Sequence, residues 1–254
     1  MTETIQPKID RALTRIDREC ELLEAERDAF RALLRRISGI QMDLPGSTDV
    51  GTGGAAAVAT SFGHRQSGSL HEIREAYRET VMAVPHYDTE YDESLEENLT
   101  AECGHSLANR IVDGEGLPPT VYEGFLGACK RAHRERERTL QYVKRERDSV
   151  GRYGSKLDDI ESAVVEAGER IPSASDTRTL SRIDGTLAGL ESRCSDLAEE
   201  RQEQIHERSA TDVDGSELGF LAYLYADLET TTPVLADVAS CLETIRHYRG
   251  RCLR

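Results

Sequence analysis

Residues 9–37 read IDRALTRIDRECELLEAERDAFRALLRRI, and within them Ile9, Leu13, Ile16, Cys20, Leu23, Arg27, Phe30, Leu34 and Ile37 recur at alternating steps of four and three. That spacing gathers the side chains on one face of an α-helix and forms the heptad seam of a coiled coil, interrupted only at Arg27. About 33 residues at 1.5 Å each give a helix of roughly 50 Å, which Pro45-Gly46 would stop. Such a helix is marginal in water by itself, so its stripe needs a covering partner.

The same period recurs downstream. Ser69-Leu70-His71-Glu72 has the form of a capping box, and Leu70, Ile73, Tyr77, Val81 and Val84 make one stripe that ends at Pro85. Ser94 to Glu97 repeats the box and opens a second short helix, with Gly104 as its stop. The longest element starts near Pro118-Pro119 and keeps a seam through Tyr122, Phe125, Cys129, Ala132, Arg136, Val143, Val150, Leu157, Ile160, Val164 and Ile171. Gly151 and Gly154 are its expected bending points, since glycine costs about 1 kcal/mol against alanine inside a helix. Pro172-Ser173-Ala174-Ser175 breaks it, and the pattern resumes at Leu180, Ile183, Leu187, Leu190, Cys194, Leu197, Arg201 and Ile205. A short connection between two long amphipathic helices predicts an antiparallel hairpin. After a turn over 211–215, a last stripe runs from Leu221 to Cys252, and Pro233 is expected to kink this helix without ending its seam.

No segment alternates apolar and polar residues as a half-buried strand does, so the fold class is all-α: an elongated antiparallel helical bundle with coiled-coil packing. Three regions follow. Residues 1–40 form an amphipathic N-terminal helix, and 41–68, rich in Gly, Ala and Ser, form a flexible linker. Residues 69–254 form the main helical domain, with long helices at 118–171, 177–208 and 216–252. The N-terminal helix docks on that domain or pairs with a second copy of itself.

The 254 residues include 47 acidic and 32 basic ones, a net charge of −15, and 5% aromatics. The length allows one large domain or two small ones. Only 4 of the basic residues are Lys and 28 are Arg. An acidic surface poor in lysine suits molar salt, where a Debye length near 3 Å removes the self-repulsion that opposes compaction. A halophilic source is expected. The N-terminus lacks the basic and apolar regions of a signal peptide, and no apolar run is long enough to cross a membrane, so a cytoplasmic location is expected. Cys20, Cys103, Cys129, Cys194, Cys241 and Cys252 form no C-x-x-C pair and read as small core side chains.

Candidate chemistry is sparse. Gly51 to Gly54 lack the preceding strand and the following G-K-[ST] of a phosphate loop. His86, Asp88, Cys103 and His105, with Glu90, Asp92 and Glu93 nearby, offer imidazole, thiolate and carboxylate to a divalent cation such as zinc, though their spacing fits no known finger or ribbon. The favoured reading of this block is a turn between helices, where Tyr87 and Tyr91 pack and the acids face water. No nucleophile elbow or dinucleotide fingerprint is present, His133 and His206 lie among charged helical residues, and neither catalysis nor a cofactor is expected.

Two basic stretches run against the overall sign. Residues 130–147 hold eight basic and three acidic side chains, and 245–254 hold four arginines and no acid. Arg131, Arg134, Arg138, Arg246, Arg249 and Arg251 are candidates for phosphate contact; the competing reading pairs them with acidic faces of neighbouring helices.

The blocks VMAVPHYDTEYDESLEENLTAE (81–102) and FLAYLYADLETTTPVLADVA (220–239), with REAYRETVMAVPHY at 74–87 and the N-terminal seam, resemble an uncharacterised haloarchaeal family, a domain of unknown function. The resemblance covers most of the chain outside the glycine-rich segment. It implies a helical, halophilic, cytoplasmic protein and brings no activity, cofactor or catalytic residue. The leading expectation is therefore a non-catalytic scaffold or protein-interaction module that binds a partner, or itself, through helical seams. A DNA-associated regulator is the alternative, and a metal protein or enzyme the third reading.

Overall fold

A computed structural model describes residues 7–40, 69–211 and 216–253. The expected linker at 41–68 and the turn at 212–215 lie outside the described residues. Every regular element among the described residues is a helix. In chain order they are α1 (Pro7–Ile37), α2 (69–78), α3 (Tyr87–Glu90), α4 (Leu95–Cys103), α5 (His105–Val112), α6 (Pro119–Arg170), α7 (Thr177–Thr211), α8 (Ser216–Leu224) and α9 (Pro233–Cys252). The chain divides into two compact units, one made of residues up to Cys20 with those from Tyr142 onward, the other of Glu21–Gln141. The boundaries of these units fall within the residue ranges of α1 and α6.

In the Glu21–Gln141 unit, the second half of α1 runs antiparallel to the first half of α6. Tyr122 Oη donates to the Ile37 carbonyl at 2.9 Å, and Arg136 Nε reaches Glu26 at 3.1 Å. Phe30, Leu33 and Ile37 of α1 meet Leu70, Ile73 and Tyr77 of α2 and Phe125 and Cys129 of α6 in one core. Removing each large side chain from water stabilises the unit by roughly 1.5–3 kcal/mol. The stripe read from Leu70 to Val84 is buried throughout, but α2 stops at 78 and Val81 sits on a separate 3-10 turn, Val81–Ala83. Ser94 and Glu97 make both bonds of the capping box that opens α4. Gly104 ends α4 at φ 86°, ψ 148°, a conformation only glycine adopts without strain.

In the other unit, α6, α7 and α9 supply most of the core. Val150, Leu157, Ile160, Leu187, Cys194, Val238 and Ile245 are each at most 2% exposed. α7 packs on α9 and on α8. Pairs Glu191–Arg246 and Asp184–Arg249 set α7 and α9 antiparallel, and Ser149–Gln204 with Lys156–Glu200 do the same for α6 and α7. Gly151 and Gly154 fall inside α6, which stays helical through both.

Two expectations are corrected. The helix expected at 216–252 is two helices, because Pro233 begins α9 as its first residue and Thr232 before it leaves helical geometry at φ −130°, ψ 64°. A missing N–H and a fixed φ suit proline to the first helical turn, where the donor has no intrahelical partner. Along α1, the positions Ile9, Ile16, Phe30 and Ile37 are buried as expected, but the second buried row is Ala12, Glu19 and Leu33, leaving Leu13, Leu23, Arg27 and Leu34 at the margin.

Candidate functional site

The block around Pro85 is built about one half-buried arginine. Arg136, on the predicted seam of α6, donates from Nε to Glu26 Oε2 at 3.1 Å and from Nη1 to Glu102 Oε2 at 3.0 Å, and its Nη2 bonds Glu102 Oε1. The guanidinium lies 4.9 Å from the Phe30 ring centre. Glu26 Oε1 also accepts the Tyr91 hydroxyl at 2.7 Å and lies 3.2 Å from His86 Nε2. Burial works against the charge of Arg136, but the Glu102 and Glu26 carboxylates outweigh it and raise its pKa. A cavity of about 10 Å³ remains among Glu26, Phe30, Tyr91, Glu102 and Arg136, which is room for about one water and for no larger ligand.

The metal candidates are dispersed around this cluster. His86 precedes α3 and turns to Glu26, while Asp88 stands exposed in the first turn of α3. Cys103 ends α4 half-buried, and burial, then Glu102, pushes its thiol up to about 12. His105 is exposed at the start of α5, its Nε2 3.3 Å from Asn109 Nδ2. Among the described residues, no three His, Cys, Asp or Glu side chains gather as a metal set requires. His206 is exposed, whereas His133 is half-buried with its Nε2 unbonded among the described residues.

The basic candidates separate into two groups. Lys130, Arg131, Arg134 and Arg138 are exposed on α6 and, three and four residues apart, fall on one helical face about 12 Å long. Arg131 and Arg134 make no ion pair among the described residues. Glu137 beside them turns toward Arg27, 3.6 Å away, while the exposed Glu135, four residues from Arg131 and three from Arg138, borders the row. Arg246 and Arg249 instead bind acids of α7: Arg246 Nε lies 3.0 Å from Glu191, and Arg249 reaches Asp184 at 2.9 Å and Glu191 at 2.5 Å. Arg251 is exposed, its guanidinium 5.8 Å from the Tyr248 ring centre.

Further groups escape a reading of periodicity. An open groove of about 890 Å³ in the unit containing the C-terminal helices is lined by Leu13, Arg145, Arg147, Asp148, Gly151, Arg152 and Ser155, and Arg147 there is tied to Asp17. Glu146 and Arg201, their side chains 1% and 3% exposed, pair at 2.6 Å, and Glu146 also accepts the Tyr225 hydroxyl at 2.7 Å. Arg201 Nη1 donates to Ser149 Oγ and Gln204 Oε1. Asp237 of α9, fully buried, accepts the backbone N–H groups of Lys8 and Ile9 at 3.1 and 2.8 Å, and so caps the start of α1. The only sequence signal for these groups was a polar residue at an apolar position of a seam, as at Arg136 and Arg201.

These features define an all-helical protein whose buried charges serve its packing. The chain belongs to the family described as a domain of unknown function (DUF7260), which it matches over residues 7–249. No curated protein and no solved structure matches it. No described helix is long and apolar enough to cross a membrane.

Proposed function

We propose that the chain is a non-catalytic helical scaffold that docks an acidic partner protein through the basic face of α6. The observation that carries this reading is the row Lys130, Arg131, Arg134 and Arg138, exposed in a chain of net charge −15. Concentrated cations on a background of the opposite sign steer and orient an acidic surface. The apolar stripe of α1 is covered within its own chain, which supports a partner contact on this face over one on that seam. The non-catalytic reading is supported by where the ionisable groups go: Glu26, Glu102, Glu146 and Asp237 are all bound to cations.

Duplex DNA is the second reading, favoured by the arginine content of that face, since guanidinium groups bind phosphate in bidentate fashion. The acidic, lysine-poor composition supports a haloarchaeal, cytoplasmic setting with molar salt, in which phosphate contacts weaken steeply and an acidic protein surface would be held by direct, short-range ion pairs only. The test is capture from a native high-salt lysate by the full chain and by a K130E/R131E/R134E/R138E variant, each with and without nuclease. A protein retained after nuclease by the wild type and lost by the variant supports the first reading. Nuclease-sensitive capture moves the assignment to DNA, and equal capture by both chains removes the basic face from either.

A further inference from the structure

Cys194 on α7 and Cys241 on α9 face each other inside the unit formed by the C-terminal helices, 0% and 1% exposed, with their sulfurs 3.6 Å apart. All six cysteines are free thiols. The register that brings this pair together is held from outside by Glu191–Arg246 at 3.0 Å and Asp184–Arg249 at 2.9 Å. Leu190, Leu197, Val238 and Ile245, one turn to either side, are buried, and the buried Glu161 carboxylate of α6 is near enough to act on both sulfurs. A disulfide sulfur pair stands about 2.05 Å apart, which leaves roughly 1.6 Å to close.

We propose that Cys194 and Cys241 form a disulfide that staples α7 to α9 when local opening of the α7–α9 layer admits a peroxide to the buried pair. A hydrogen bond from the Cys241 S–H favours proton loss at Cys194, against burial and the Glu161 carboxylate, while that bond and burial hold the Cys241 thiol up. The Cys194 thiolate attacks one peroxide oxygen and the O–O bond breaks. Hydroxide leaves, takes up the proton Cys194 released, and departs as water. The Cys241 sulfur then attacks the Cys194 sulfenic acid and the S–O bond breaks. The second hydroxide leaves as water with the Cys241 proton. Two thiols lose two electrons and one peroxide gains them.

The bond closes a loop of 47 residues that includes α8. Removing that loop's freedom from the unfolded chain raises the melting temperature by roughly 5–15 °C.

The test uses the full reduced chain, treated with hydrogen peroxide, then denatured and alkylated. The expected product is about 2 Da lighter before alkylation, as loss of two hydrogens requires. Its alkylated thiols fall from six to four, and proteolysis yields one linked peptide pair joining Cys194 to Cys241. Its melting temperature returns to the starting value on reduction. Six alkylated thiols after treatment, a bond between any other cysteines, or sulfinic acid at Cys194 in place of the bond overturns the proposal. A Cys241→Ala variant should show no loss of mass, and persistence of that loss assigns the bond elsewhere.

Discussion

Glu146 and Arg201 meet with side chains 1% and 3% exposed, a place where either charge alone would forfeit its hydration with nothing in return. Tyr225, Ser149 and Gln204 complete the bonding around them, as Phe30 and Glu102 do around Arg136, so both arginines remain inside apolar seams. Each was visible in the sequence as an interruption of a stripe, but its partners were not, because they lie on other helices. Glu191 shows the surface version of the same pairing. Hydrogen bonds from Arg246 and then Arg249 hold its pKa below the ordinary 4.5, with burial opposing them weakly. A depressed carboxylate stabilises the fold fully above its unfolded value, and that stability fades as pH falls through the lower folded value. Glu191→Gln should therefore lose about 1 kcal/mol or less at pH 7, as expected of a partly exposed pair. Urea unfolding followed from pH 6 to pH 3 should show a shallower acid decline below about 4.5 in the variant. Coincident declines in the two chains would remove the linkage.

At the scale of the element, the start of α1 depends on a residue more than two hundred positions away. Asp237 accepts the Lys8 and Ile9 amides and pairs with Lys8 Nζ at 3.3 Å, supplying from α9 the cap that Ser94 gives α4 locally. Asp237→Ala leaves two amides buried without an acceptor and should destabilise the chain by roughly 2–3 kcal/mol, read from denaturant unfolding. Hydrogen exchange should speed up first at Lys8 and Ile9. Asp237→Asn keeps an acceptor oxygen and should lose less; equal losses in both variants would make the charge, not the cap, the stabilising feature. The Ser94 box and the Gly104 stop were legible because both are written within a few residues. The division between α8 and α9 was legible only in part, since proline marks a boundary and does not say whether the chain bends or restarts there.

For the whole molecule, the decisive quantity is a net charge of −15 carried by 47 acids against 32 bases. Exposed carboxylates repel across water unless salt screens them, whereas the buried pairs around Arg136 and Arg201 are screened little. Raising KCl from about 0.1 M to about 3 M, which shortens the Debye length from about 10 Å to below about 3 Å, should raise the urea midpoint of the full chain. A midpoint that stays level or falls would contradict a protein adapted to molar salt. Membership of the DUF7260 family across residues 7–249 makes the helical architecture and the basic face of α6 features to look for in its other members.

By itself the sequence determined that the chain is helical, where α4 is capped and stopped, and that Ile9, Ile16, Phe30 and Ile37 of α1 are buried. Those follow from local sterics and from a period that apolar residues must keep to share one face. Only the tertiary structure decided the second buried row of α1. Ala12, Glu19 and Leu33 go inward, with Glu26 close behind, while the more apolar row of Leu13, Cys20, Arg27 and Leu34 is buried at Cys20 alone. Two acids can occupy that row because Arg15 answers Glu19 and Arg136 answers Glu26. A buried charge is tolerated only beside its counter-charge, and for Glu26 that partner lies 110 residues along the chain.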